Sequence, residues 1–127
     1  MDTLIKSFRD LVVWQKAMDL VQVIYANSGR FPVEERSALT SQIRRAAVSV
    51  PSNIAEGYGR RSTADYIRFL QIALGSIYEL QTQLELSIRL GFLGEDEVKD
   101  ALALCAEIEK MLVALSAKLR AKIEGNH

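Results

Sequence analysis

Four stretches of this chain carry apolar residues at every third or fourth position, with short breaks between them. That repeat matches 3.6 residues per turn and not the two-residue alternation of a strand, so it dictates helices. The first helix is expected over 10–28, on the stripe Leu11, Trp14, Met18, Val21 and Tyr25. Asp10 is placed to cap its start, and Asn27-Ser28-Gly29 to stop it, with Gly29 supplying the left-handed residue on which many helices end. The second is expected over 33–58, with Glu34 and Glu35 in its first turn and Leu39, Ile43, Ala47, Val50, Ile54 and Tyr58 on its stripe. Pro51 falls inside that stripe. It cannot donate to the Ala47 carbonyl, which predicts a kink or a break there, and Gly57 and Gly59 then end the element. The third helix, over 62–90, starts on Ser62 as N-cap with Asp65 at the third position, and continues through Tyr66, Leu70, Ala73, Ile77, Leu80 and Leu84. Gly91-Phe92-Leu93-Gly94 makes the next turn. The fourth, over 95–123, opens on Glu95, Asp96 and Glu97 and carries Val98, Ala101, Cys105, Ile108, Leu112, Leu115 and Leu119 on one seam.

Long helices joined by connections of about three to five residues pack as antiparallel neighbours. The fold expected is therefore all-α: one antiparallel up-down-up-down four-helix bundle over 1–127. At 49% hydrophobic residues the chain has enough apolar material for a core, and more than one stripe per helix. Val12, Val13, Leu20, Val23 and Ile24 stand beside the first seam, Ile67, Phe69, Ile72, Leu74 and Ile88 beside the third, and Leu102, Leu104, Met111 and Val113 beside the fourth. Wide core-facing stripes would absorb some of these. A contiguous apolar face beyond the core marks an interface, and the reading adopted is a homo-oligomer of closed symmetry.

Composition narrows the chemistry. Lys plus Arg and Asp plus Glu are 16 each, a zero net charge that argues against coating nucleic acid or an anionic membrane through bulk charge. The single Cys fits a reducing compartment, and the polar N-terminus with no long apolar run indicates neither a signal peptide nor a membrane span, so a cytoplasmic protein is expected. The one His is His127, which removes His-based triads and most zinc sites. Cys105 on a core seam reads as a buried, inert thiol. Gly57-Tyr58-Gly59-Arg60-Arg61 has neither the following Lys-Ser/Thr nor the preceding strand of a phosphate loop.

The informative stretch is Gln42–Arg61. Arg45, Ser49, Asn53, Glu56 and Arg60 form one polar ribbon at helical spacing. If the second and third helices turn back on each other near Arg61, Arg44 and Arg45 come close to Gly75, Ser76 and Glu79. A salt bridge from one of them to Glu79 is then expected, and small Gly75 and Ser76 would let the helices approach. Ser49, Asn53, Glu56, Ser76 and Glu79 make a structural polar cluster that satisfies the backbone freed at Pro51. Charge is uneven: residues 36–61 hold five arginines, Arg36, Arg44, Arg45, Arg60 and Arg61, against the single acid Glu56, while residues 62–98 hold two basic and six acidic residues. Guanidinium forks suit phosphate. The competing account is that these arginines pair with the acidic neighbouring helix, in cis or across the interface between copies.

Phe31-Pro32 with Glu35 and Leu39, Gln42-Ile43-Arg44-Arg45-Ala46-Ala47, the run Ser49-Val50-Pro51-Ser52-Asn53-Ile54-Ala55-Glu56-Gly57, and Gly75-Ser76 with Glu79-Leu80 resemble the signature of the bacterial 23S rRNA intervening-sequence proteins. The likeness runs from about Phe8 to Leu93; the fourth helix matches in character alone. The resemblance implies a left-handed antiparallel four-helix bundle assembling as a homopentamer. Some members of that family are encoded within insertions in large-subunit rRNA genes, and a related retroelement accessory protein binds nucleic acid and a reverse transcriptase through its pentameric barrel.

The functional reading is non-enzymatic and needs no cofactor and no metal. The oligomer associates with structured RNA, rRNA or another nucleic acid, with Arg36, Arg44, Arg45, Arg60 and Arg61 on phosphates and no base readout. The alternative is a scaffold that binds another protein, with the arginines in structural salt bridges. An enzyme would need convergent carboxylates around Glu56 or Glu79.

Overall fold

A computed structural model describes residues 4–125; Met1 to Thr3, Asn126 and the lone His127 lie outside the described residues. Among the described residues there are four α-helices and no strand: α1 (Val12–Ser28), α2 (Leu39–Tyr58), α3 (Thr63–Arg89) and α4 (Glu95–Glu124). Two 3-10 turns, Phe8–Asp10 and Val33–Glu35, precede α1 and α2. α2 packs most extensively on α3, α3 on α4, and α1 on both α2 and α4. No described helix is long and apolar enough to cross a membrane.

The core of α1 is not the stripe the sequence suggests. Val13, Ala17, Leu20, Ile24 and Ser28 are buried, whereas Met18 and Tyr25 are exposed and Leu11, Trp14 and Val21 only half-buried. The two stripes differ by a single residue, about 100° of rotation, and both are apolar, so periodicity does not choose between them. On α2, Ile43, Ala47, Val50 and Ile54 are fully buried; on α3, Leu70, Ala73, Ile77, Leu80 and Leu84; on α4, Val98, Ala101, Cys105, Ile108 and Leu112. Much of the apolar surplus is also core: Val13, Leu20, Ile24, Ile67 and Phe69 are buried, and Val23, Leu74, Ile88, Leu102, Leu104 and Met111 pack partly against it. Val12, Ile72 and Val113 remain exposed.

The helix starts repeat one theme with different residues. Ser62 Oγ accepts from the Asp65 N–H at 3.0 Å, the expected N-cap of α3. Asp10 does not cap α1. Its carboxylate accepts from the Lys6 and Ser7 N–H groups, closing the 3-10 turn before it, while Leu11 at the helix start offers no side-chain cap. α2 begins six residues later than expected, because the chain leaves Pro32 in a 3-10 turn and becomes α-helical only after Ala38. Glu35 then caps α2 from outside, accepting from the Leu39 N–H at 3.2 Å. At α4, Glu97 accepts from the Gly94 N–H at 2.8 Å and ion-pairs with Arg30, tying the end of α1 to the start of α4.

Three further expectations are corrected. Of the kink or break expected at Pro51, the break does not occur: α2 runs through the buried proline as one helix. Gly29 ends α1 in right-handed geometry, φ −63° and ψ −18°, so it is not a left-handed stop; Gly91, at φ 77°, is the residue that uses glycine's freedom. Gly57 does not end α2 but lies inside it, packed against Tyr66 and Phe69 of α3, whereas a Cβ on exposed Gly75 would meet nothing within 4 Å.

Candidate nucleic-acid interface

The expected polar cluster divides in two. Ser76 Oγ of α3 donates to Ser49 Oγ of α2 at 2.8 Å, and Asn53 Nδ2 donates to both the Ser49 carbonyl and its hydroxyl, at 2.8 and 2.9 Å. The amide thus serves the carbonyl at 49, not the Ala47 carbonyl that Pro51 leaves without its donor. Glu56 and Glu79 stand apart from this network, both exposed. Glu56 reaches only Arg60, at 3.9 Å. Neither Arg44 nor Arg45 pairs with Glu79 among the described residues: Arg45 donates to Ser41 Oγ at 3.1 Å instead. Arg45 and Glu79 line the same open cleft of about 310 Å³, with Gln42, Ser49 and Ser76 between them.

The five arginines form two groups, not one. Arg36, at the end of the 3-10 turn before α2, and Arg44 and Arg45, in the first two turns of α2, lie toward one end; Arg60 and Arg61 lie beyond the other, with about 20 Å of helix between Arg45 and Tyr58. In the first group Arg44 is held hard. Its Nε donates to Ser28 Oγ at 2.8 Å, an Nη reaches the Tyr25 carbonyl at 3.5 Å, and its guanidinium stacks 4.6 Å from the Tyr25 ring. In the second group, Arg60 stacks 4.5 Å from the Phe69 ring and Arg68 lies 5.0 Å from it. Arg68 falls outside the basic window read from the sequence. Its signal was its place on α3 just past the turn that carries Arg60 and Arg61.

Charge pairing is sparse across these positions. Of the ion pairs among the described residues, Lys16 with Glu107, Arg30 with Glu97, Arg60 with Glu56 and Arg68 with Asp65, none involves Arg36, Arg44, Arg45 or Arg61. Those four cations therefore have no carboxylate within 4 Å among the described residues. Burial pushes the Cys105 thiol up to about 12, with Glu109 adding to the shift, so it carries no thiolate at neutral pH. The Gly94 N–H, and then the Arg30 side chain, hold the Glu97 carboxyl below its usual value. Among the described residues no three His, Cys, Asp or Glu side chains stand close enough to hold a metal ion.

An apolar groove lies on the opposite flank of α2, between α1 and α2. Trp14, Met18, Val21, Val48, Pro51 and Ala55 line it, and Met18 and Val48 are more than two-fifths exposed.

Two comparisons place the chain. A protein of unknown function from the S23 ribosomal protein family of Bacteroides thetaiotaomicron, solved by crystallography, is similar to it with a TM-score of 0.76 at 29% identity, over 83% of this chain and 98% of that one. No curated protein matches the sequence. The match to the family of 23S rRNA-intervening sequence proteins covers residues 9–114, and so extends past Leu93 into most of α4. By that match, over more than four-fifths of its length, the chain belongs to the 23S rRNA-intervening sequence protein family.

Proposed function

We propose that this protein is a non-enzymatic, cytoplasmic RNA-associating bundle whose up-down-up-down helices run antiparallel and whose copies assemble as a homopentamer. The observation that carries the RNA reading is the set Arg36, Arg44, Arg45 and Arg61, four guanidiniums with no carboxylate in reach among the described residues, in a chain whose net charge is zero. Arginines that served only to pair with the acidic α3 of their own copy would have found partners there. Repeated around a closed ring, two basic groups per copy give a surface that phosphates can follow without base readout. The family's tie to 23S rRNA genes supports structured RNA as the ligand.

The apolar groove of Trp14, Met18, Val21, Val48, Pro51 and Ala55 supports self-assembly, since a monomer has no use for an open apolar channel beside its core. It also favours a second reading, a scaffold that holds another protein in a groove left open after assembly.

The test is a salt series of binding to structured RNA, with the mass set by light scattering in the same buffer. The reading expects a pentamer whose affinity falls steeply between low and physiological salt, and a shallower slope for Arg60→Glu with Arg61→Glu. A pentamer that binds no RNA at low salt, or an unchanged slope in the double variant, overturns it and returns the search to protein partners.

A further inference from the structure

The end of α1 and the start of α2 enclose a cleft of about 360 Å³ that no ion pair fills. Its lining includes Ser28, Gly29, Phe31, Arg36, Thr40 and Arg44. Thr40 is 7% exposed, yet its hydroxyl makes no hydrogen bond among the described residues, and it sits in the first turn of α2 facing this space. A helical threonine can return its proton to the carbonyl four residues back, as Thr82 does to Tyr78 at 2.9 Å. Thr40 does not, so its hydroxyl is free to meet a group that enters the cleft.

The surrounding groups specify what that is. Arg44 spends its Nε on Ser28 and one Nη on the Tyr25 carbonyl, and is braced over the Tyr25 ring; its remaining N–H groups are free to donate from a fixed plane. Arg36 brings a second, unpaired guanidinium to the same rim. The orphan N–H groups at the start of α2 add positive potential, tempered by Glu35, whose carboxylate is engaged with the Leu39 N–H. Two guanidiniums, a hydroxyl and a helix start converging on an open space are donors without an acceptor.

From this convergence we infer that the α1–α2 cleft is a seat for a phosphate group, bound by Arg44, Arg36 and the Thr40 hydroxyl. It deepens the RNA reading above, in which that phosphate belongs to the nucleic-acid backbone, and it makes Arg36 and Arg44 a shaped site instead of a diffuse charge.

The experiment is an NMR titration of the ¹⁵N-labelled full chain, following the Thr40 amide and the Arg44 Nε–Hε. The probes are sodium phosphate and an RNA hairpin, with sodium chloride at matched ionic strength as reference. Both signals should shift saturably with phosphate and with the hairpin, and not with chloride. Thr40→Val keeps the shape and loses the hydroxyl; Arg44→Lys keeps the charge and loses the fork. Each should weaken phosphate binding by about tenfold. Should Arg44→Lys fail to fold, Thr40→Val alone decides. Equal shifts in chloride, or undiminished binding in the variants, overturn the seat. A hairpin that binds without moving either signal overturns the seat and leaves the RNA reading standing. Saturation by phosphate with no RNA binding supports the seat and removes the RNA reading.

Discussion

Gly57 of α2 presses against Phe69 of α3: a Cβ on the glycine would stand 2.8 Å from the Phe69 Cβ, 3.1 Å from Tyr66 Cδ1 and 3.2 Å from the Tyr66 carbonyl oxygen. Two of those three atoms belong to the base of a side chain or to backbone, so they cannot step aside without moving the helix. The missing side chain is what lets the two helices meet just before their turn, and it brings Phe69 under Arg60.

Gly57→Ala therefore sets helix propensity against sterics. Alanine gains about 0.5–1 kcal/mol in a helix, and overpacking costs about 1–3 kcal/mol, so the variant should lose stability on balance. Gly75→Ala, with nothing within 4 Å of the new methyl, should gain about 0.5–1 kcal/mol. Urea melts at one protein concentration check both. The same sign for the two variants would refute the assignment of Gly57 as the contact point.

That contrast also shows what the sequence could and could not disclose. Helix number, the α3 cap at Ser62 and the seams of α2, α3 and α4 were legible because periodicity and capping are local. The face of α1 was not, since the stripe through Leu20 and Ile24 and the one through Met18 and Tyr25 are both apolar, and only contact with α2 and α4 selects one. Gly57 and Gly75 look alike in sequence; their difference is tertiary. At the site, the residues Ser49, Asn53 and Ser76 were correctly gathered, because their spacing is fixed by one helix and one turn. The placement of the arginines was not, because a long flexible side chain chooses its partner in three dimensions. Arg44 turns to Ser28 and Tyr25 on α1 and Arg45 to Ser41 on its own helix, whereas the sequence predicts that one of the two pairs with Glu79 on α3.

The hydroxyl pair should behave as a unit. Ser76→Ala leaves Ser49 Oγ with Asn53 alone, and Ser49→Ala removes the acceptor shared by both neighbours. Each single change should cost about 0.5–1.5 kcal/mol, and the double variant should cost less than the sum. Chemical denaturation of the four proteins gives the coupling, and strict additivity would mean the hydrogen bond contributes nothing.

Cys105 makes a prediction in the alkaline range. Its thiol rises from an ordinary value of 9.0 to about 12 on folding, so between those values the unfolded chain has lost a proton that the native one keeps. Stability from this group is full below pH about 9 and is lost as pH climbs toward 12. Cys105→Ser would lose that alkaline slope in a pH series of melting temperatures. In the same protein, a thiol reagent at pH 8 should label Cys105 only after denaturation; rapid labelling of the native chain would place it outside the core.

Glu97 gives the opposite sign. The Gly94 N–H and Arg30 favour its charged form in the native state, so its contribution is present above the ordinary carboxylate value of 4.5 and fades as pH falls below it. Glu97→Gln should melt earlier than the parent at pH 7 and converge with it in acid. A gap that persists unchanged at pH 2 would show that charge has no part in the cap.

Glu56 lies beside Arg60 at 3.9 Å, with both side chains well exposed, and this is the kind of surface pair that contributes little. Glu56→Gln should leave the melting temperature nearly unchanged. Its effect should appear in binding. The carboxylate is the single acid within the window from Arg36 to Arg61, and it sits where Arg60 would meet a phosphate. Removing it frees that guanidinium and lifts a local repulsion, so RNA affinity at low salt should rise while the difference shrinks as salt screens the exposed charges. An affinity that falls in Glu56→Gln would mean that Arg60 needs its carboxylate to be held over Phe69, and that its role there is structural.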